Sequence, residues 1–160
     1  MHREVTDMTK QLFFETSPST ENTEGLGARL ANDMINDPSL PRFVAFYGDL
    51  GSGKTAFIRG FVSVISENSA VRSPTFTIVN EYRGGKIPVF HFDMYRIGGE
   101  DDLFSIGFYD YLDSGICLCE WSENIEFALP DEYLRLEIYR DADPEKENTR
   151  TVKATLVTAN

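Results

Sequence analysis

Eight consecutive residues, Gly48-Asp49-Leu50-Gly51-Ser52-Gly53-Lys54-Thr55, constrain this chain more than any others. They follow a continuous apolar run, Phe43-Val44-Ala45-Phe46-Tyr47, and precede Phe57, Ile58, Phe61, Val62 and Ile65, which are spaced as one face of a helix. The run has the length and uniformity of a strand buried on both faces, as in parallel sheets covered by helices. A buried strand, a glycine-punctuated loop and a helix are the context that gives G-x-x-x-x-G-K-[ST] its physical meaning. Glycines at 48, 51 and 53 let backbone N–H groups turn inward on phosphate oxygens, and the helix N-terminus adds partial positive charge. Lys54 then has the reach for the outer phosphates of a nucleoside triphosphate, and the Thr55 hydroxyl suits magnesium.

Composition narrows the class further. With 160 residues, 41% of them apolar and 26% charged, the chain can bury the core of one domain without disulfide staples. Fifteen Lys and Arg against 26 Asp and Glu give a formal charge of -11, which repels nucleic-acid phosphates and argues against a stand-alone RNA or DNA binder. Cys117 and Cys119, two residues apart in an apolar run, share one strand face and read as reduced core cysteines. The two histidines, His2 and His91, do not complete a zinc set around them. No apolar run approaches the roughly 20 residues of a membrane span, and residues 1–10 lack the apolar core of a signal peptide, so the expected compartment is the cytoplasm.

Residues 1–10 read as a loose leader and 11–160 as a single domain. Residues 12–14 can form a short strand, and Ser17-Pro18-Ser19-Thr20 supplies turn and cap chemistry before a helix carrying Leu26, Leu30, Met34 and Ile35, stopped at Asn36-Asp37-Pro38. Runs at 76–82 and 87–93 flank Arg83-Gly84-Gly85-Lys86 and predict an antiparallel hairpin. One helix is expected from Glu100-Asp101-Asp102 to a stop near Asp113-Ser114-Gly115, then a buried strand over 116–120, a short segment ended by Pro130, and a hairpin pairing 133–139 with 151–157. The fold class predicted is α/β: a three-layer P-loop NTPase-like domain, its central sheet mainly parallel with antiparallel strands added, flanked by helices.

A triphosphate site needs a carboxylate at a strand end, and two qualify: Asp93 after Val89-Phe90-His91-Phe92, and Glu120 after Ile116-Cys117-Leu118-Cys119. Glu120 ends the more uniformly apolar run, which suits a central strand beside the loop strand, and is assigned to the metal, directly or through water. Asp93 is assigned to orienting or deprotonating the attacking water, although the residues alone leave these roles interchangeable. Trp121, the single tryptophan, lies next to Glu120, near the nucleotide, at a partner surface or packed in the core. Ser73-Pro74-Thr75-Phe76 places hydroxyls on a stiffened loop, either sensing the outer phosphate or forming a plain turn, and His91, between two phenylalanines, reads as a packed histidine rather than a base.

Together the 48–55 loop, Ser73-Pro74-Thr75-Phe76-Thr77-Ile78-Val79-Asn80-Glu81-Tyr82, His91-Phe92-Asp93-Met94-Tyr95-Arg96 and Cys119-Glu120-Trp121 resemble the TsaE (YjeE) family, small bacterial P-loop ATPases of threonylcarbamoyladenosine formation in transfer RNA. The resemblance spans nearly everything from 17 to 157. It implies binding of ATP and ADP with Mg2+, and hydrolysis that is weak alone and useful with the partners TsaD and TsaB, while TsaC supplies the threonylcarbamoyl-adenylate. Carried over by motif, Gly48, Asp49, Leu50, Gly51, Ser52, Gly53 and Lys54 hold the phosphates, Thr55 and Glu120 hold magnesium, Lys54, Asp93 and Glu120 serve catalysis, and Trp121 lies beside the site. The resemblance also implies nucleotide contacts at Thr20 and Arg150. Ser122 departs from the proline usual after the Glu-Trp pair. Two other readings share the loop motif: a small-molecule or nucleotide kinase, for which no lid with a basic cluster is seen, and a binding module that does not hydrolyse.

Overall fold

Uniformly apolar strands belong at the centre of a two-sided sheet, and the two such runs of this chain are there. The structure, a computed structural model, describes residues 7–48, 51–74 and 77–159. Its strands are β1 (Met8–Ser17), β2 (Phe43–Tyr47), β3 (Val79–Tyr82), β4 (Val89–Asp93), β5 (Ile116–Glu120), β6 (Glu132–Arg140) and β7 (Arg150–Thr158), joined in one sheet of order β1-β7-β6-β2-β5-β4-β3. β6, β2, β5 and β4 run parallel, while β3, β7 and β1 are antiparallel additions, so the predicted α/β class holds. Every residue of β2 and β5 is buried.

The helices are α1 (Thr20–Asn36), α2 (Lys54–Ile65), α3 (Glu100–Ser105) and α4 (Phe108–Tyr111), with 3-10 turns at Ser122–Ala128 and Pro144–Lys146. Alternation along the strands divides the core in two. Val44, Phe46, Leu118 and Leu136 face α1 and α2, packing with Leu26, Leu30, Phe57, Ile58 and Phe61. Phe43, Ala45, Phe92, Cys117 and Cys119 face the other way, onto Leu103 of α3, Phe108 of α4 and Ile125. Both thiols are free and buried on this second side. Ser19 caps α1, its side chain accepting from the Asn22 N–H.

Four expectations are corrected. Strand structure begins at Met8 rather than near Gln11, and β1 is a full edge strand along β7 with a register shift between Gln11 and Phe13. The single helix expected after Glu100 is two short ones, because Gly107 takes a φ of 70° that an α-helix does not accommodate. Ile35 is 44% exposed; Thr23, Gly27 and Ala31 complete the buried face of α1 instead. The β3 strand starts at Val79, since Ile78 holds a left-handed φ of 67°, and Phe76 lies outside the described residues.

Helices α1 and α2 cross backbone to backbone. A Cβ added to Gly60 would come 1.9 Å from the Glu24 carbonyl oxygen, and one added to Gly27 would come 2.0 Å from that of Phe57. In an isolated helix Ala is favoured over Gly by about 1 kcal/mol, but overpacking a close contact costs about 1–3 kcal/mol or more, so sterics win here. Gly60→Ala should therefore lower the urea midpoint despite its better helix propensity; an unchanged or higher midpoint would refute the close crossing. Burial pushes the Cys117 thiol up to about 12 and raises Cys119 well above its ordinary range. Neither should react with a thiol-specific disulfide reagent at pH 8 while the protein is folded, and both should react in urea; rapid native labelling would contradict the packing.

Candidate functional site

The parallel pairings bring three strand ends to one edge of the sheet: the loop leaving β2, Asp93 closing β4 and Glu120 closing β5. In the β4–β5 register Asp93 pairs with Glu120. Between them and the start of α2 opens a cleft of about 570 Å³, walled by loop residues 51–55, Ser73, Asp93, Tyr95, Glu120 and Trp121. That size suits a small-molecule ligand.

The loop has the backbone its glycines permit. Gly48, Gly51 and Gly53 take φ values of 145°, 74° and 104°, all in the region that side chains disfavour. Gly53 is the N-cap of α2 and, having no side chain, supplies no cap to the opening N–H groups of the helix. The Ser52 Oγ is buried with no hydrogen-bond partner among the described residues. Lys54, only 6% exposed, donates from Nζ to the Gly48 carbonyl at 3.1 Å, and its Nζ stands 4.8 Å from the Trp121 ring centre. Asp49 and Leu50, expected phosphate-loop contacts, lie outside the described residues, as do Thr75 and Phe76.

The two carboxylates sit in different surroundings. Glu120 is 6% exposed, and its Oε2 lies 2.6 Å from Nε2 of the fully buried His91. Asp93 is half-buried, and its Oδ1 accepts from the Tyr95 N–H at 3.0 Å. Trp121 holds a left-handed φ of 59°, a strained conformation for a tryptophan, and its ring lies 5.0 Å from that of Tyr95. The Asn124 amide donates to the carbonyls of Met94 and Tyr95 and so ties the segment after β5 to the segment after β4. Ser122, at the position where the resemblance would put proline, is buried and donates to the Cys119 carbonyl at 2.7 Å.

Arg150 reaches the loop from the first residue of β7. Its Nη2 donates to the Gly51 carbonyl at 3.4 Å, its stem packs beside Gly53, and its Nε is buried and unpartnered among the described residues. Arg140 pairs with Arg150 in the β6–β7 register, and burial followed by this like charge lowers the Arg150 pKa from the usual arginine range. Thr20 is exposed at the start of α1 and is not among the residues lining the cleft. Sequence reasoning gave no site role to Tyr95, which lies in the turn after β4, and it treated His91 as packing alone; the spacing His91-x-Asp93, which puts both on one face of β4, was the available signal for His91.

The donor set accords with magnesium. Hard oxygen donors are present, the Thr55 hydroxyl with two carboxylates across the cleft, and among the described residues no group of three or more His, Cys, Asp or Glu is placed to enclose a metal. Magnesium is ordinarily held by one or two carboxylates with water and phosphate oxygens completing the octahedron. A glycine cradle, a buried hydroxyl lacking a partner and a lysine at the loop's end fit a polyphosphate.

A family model described as "Threonylcarbamoyl adenosine biosynthesis protein TsaE" matches residues 17–152. A Bacillus subtilis (strain 168) relative, "tRNA threonylcarbamoyladenosine biosynthesis protein TsaE", is 45% identical over 105 residues, covering 65% of each chain. A Haemophilus influenzae protein with the same description is 41% identical over 98 residues, 59% of this chain and 62% of that one. These alignments take in slightly under two thirds of the relatives' own length. The crystal structure of Bacillus subtilis YdiB superposes with a TM-score of 0.70 at 31% identity, covering 96% of this chain and 88% of that chain. With the matched region running from the end of β1 into β7 and enclosing the whole cleft, the chain belongs to the TsaE family.

Proposed function

We propose that the protein binds Mg-ATP in the cleft, hydrolyses it slowly, and through that cycle supports threonylcarbamoyl transfer to adenosine in transfer RNA by acting on TsaD and TsaB. One observation carries the nucleotide reading: two strand-end carboxylates face a glycine loop and the uncapped start of α2 across one cleft. The family's printed role supports the pathway, and the acidic chain leaves RNA contacts to its partners.

The loop N–H groups and the Ser52 hydroxyl receive phosphate oxygens. Lys54 exchanges its bond to the Gly48 carbonyl for the outer phosphates, whose charge it neutralises. A bound magnesium ion would supply positive charge to offset the negative charge that builds as the terminal phosphate bond breaks. Thr55 and Glu120 are the residues that would hold it; the buried Glu120 carboxylate, on the strand next to β2, suits a fixed cationic partner. Asp93, partly open to solvent, suits a water aligned for in-line attack, which it orients and from which it accepts a proton.

Lys54→Ala should abolish nucleotide binding seen by calorimetry. Asp93→Ala and Glu120→Ala should slow phosphate release by about 100-fold or more while weakening ATP binding far less, the pattern of groups acting mainly in the transition state. Equal loss of binding in all three variants would contradict this division. Phosphate release should be slow for the protein alone and faster with TsaD and TsaB; no stimulation, with transfer of the phosphoryl group to a metabolite instead, would establish a kinase.

A further inference from the structure

We propose that His91 is a positioning residue for Glu120: its ring donates one hydrogen bond that fixes the carboxylate and leaves the second oxygen for the cleft. The inference rests on the reading that Glu120 serves magnesium. His91 on β4 pairs in register with Leu118 on β5, so Glu120, two residues on, stands diagonally from it on the same sheet face. The ring is fully buried, Nε2 lies 2.6 Å from Oε2, and Nδ1 is buried with no partner among the described residues.

That orphaned Nδ1 decides the proton's place. With the proton on Nδ1, a buried N–H goes unsatisfied and the Nε2 lone pair faces a carboxylate oxygen at 2.6 Å. A doubly protonated ring, or a protonated Glu120 donating to Nε2, also leaves Nδ1–H unsatisfied. Among the described residues, only the Nε2–H tautomer gives every ring donor an acceptor, through a charge-assisted bond to Oε2. No described residue hydrogen-bonds Oε1, and Glu120 lines the cleft, so a glutamate with three rotatable bonds is held with one oxygen spent and one available.

The chain has two histidines, which makes the test simple. In 15N-histidine-labelled full-length protein, with signals assigned by His2→Ala, His91 should show a protonated Nε2 and a bare Nδ1. In parallel, magnesium affinity of the ADP-loaded protein is measured by calorimetry, and magnesium dependence of phosphate release by titration. His91→Asn, whose amide nitrogen falls near Nδ1, should weaken magnesium affinity roughly 10-fold or more. His91→Gln, whose amide nitrogen falls near Nε2, should recover most of that loss at a similar thermal midpoint. A protonated Nδ1 in the unsubstituted protein overturns the proposal even if neither variant folds. Equal behaviour of the Asn and Gln variants overturns it as well. If Glu120→Ala shifts magnesium dependence and His91→Asn does not, only the positioning role falls; if Glu120→Ala shifts nothing, the magnesium reading falls with it.

Discussion

Parallel hydrogen bonding of β5 between β2 and β4 is the constraint from which the site follows. Three strands that run the same way end at the same edge, so a loop at residue 48 and carboxylates at 93 and 120 converge although long stretches of chain separate them. Antiparallel pairing at the β4–β5 seam would send Asp93 to the opposite edge of the sheet, and at the β2–β5 seam it would send both carboxylates there. Burial of all five residues in β2 and in β5 specifies that central placement, because neither strand has a face to offer water. The two outer hairpins widen the sheet without disturbing its polarity, and the last of them brings Arg150 back to the loop.

Much of this was legible because it is local. The glycine loop, the helix after it, the Ser19 cap and the two hairpins are each written in a short window, where a residue's own conformational preference decides. The edge strand β1 was harder: the register shift between Gln11 and Phe13 changes the phase of its alternation, and Phe14 is exposed while Phe13 is buried. A strand that slips phase midway does not display a clean period of two. The break at Gly107 was hidden in the same way, since apolar residues on both sides continue a helical rhythm that only the backbone angle interrupts.

Within the cleft, residue types were legible and partnerships were not. That Glu120 and Asp93 end neighbouring strands could be inferred from two apolar runs; that Glu120 meets His91 depends on a diagonal across a seam 29 residues wide in sequence. The difference matters energetically. Glu120, His91 and Lys54 are polar groups withdrawn from water, each costly without a partner, and each is given one. Thr20 enters only through the resemblance, as a nucleotide contact, and it stands exposed at the head of α1, outside the residues that line the cleft.

The contact between Lys54 and Trp121 has an optical consequence. The single indole of the chain lies 4.8 Å from the Lys54 ammonium, which, on the proposed reading, a bound polyphosphate would draw away from the ring. Indole emission would then change as the lysine moves, a native gauge of cleft occupancy that requires no attached dye.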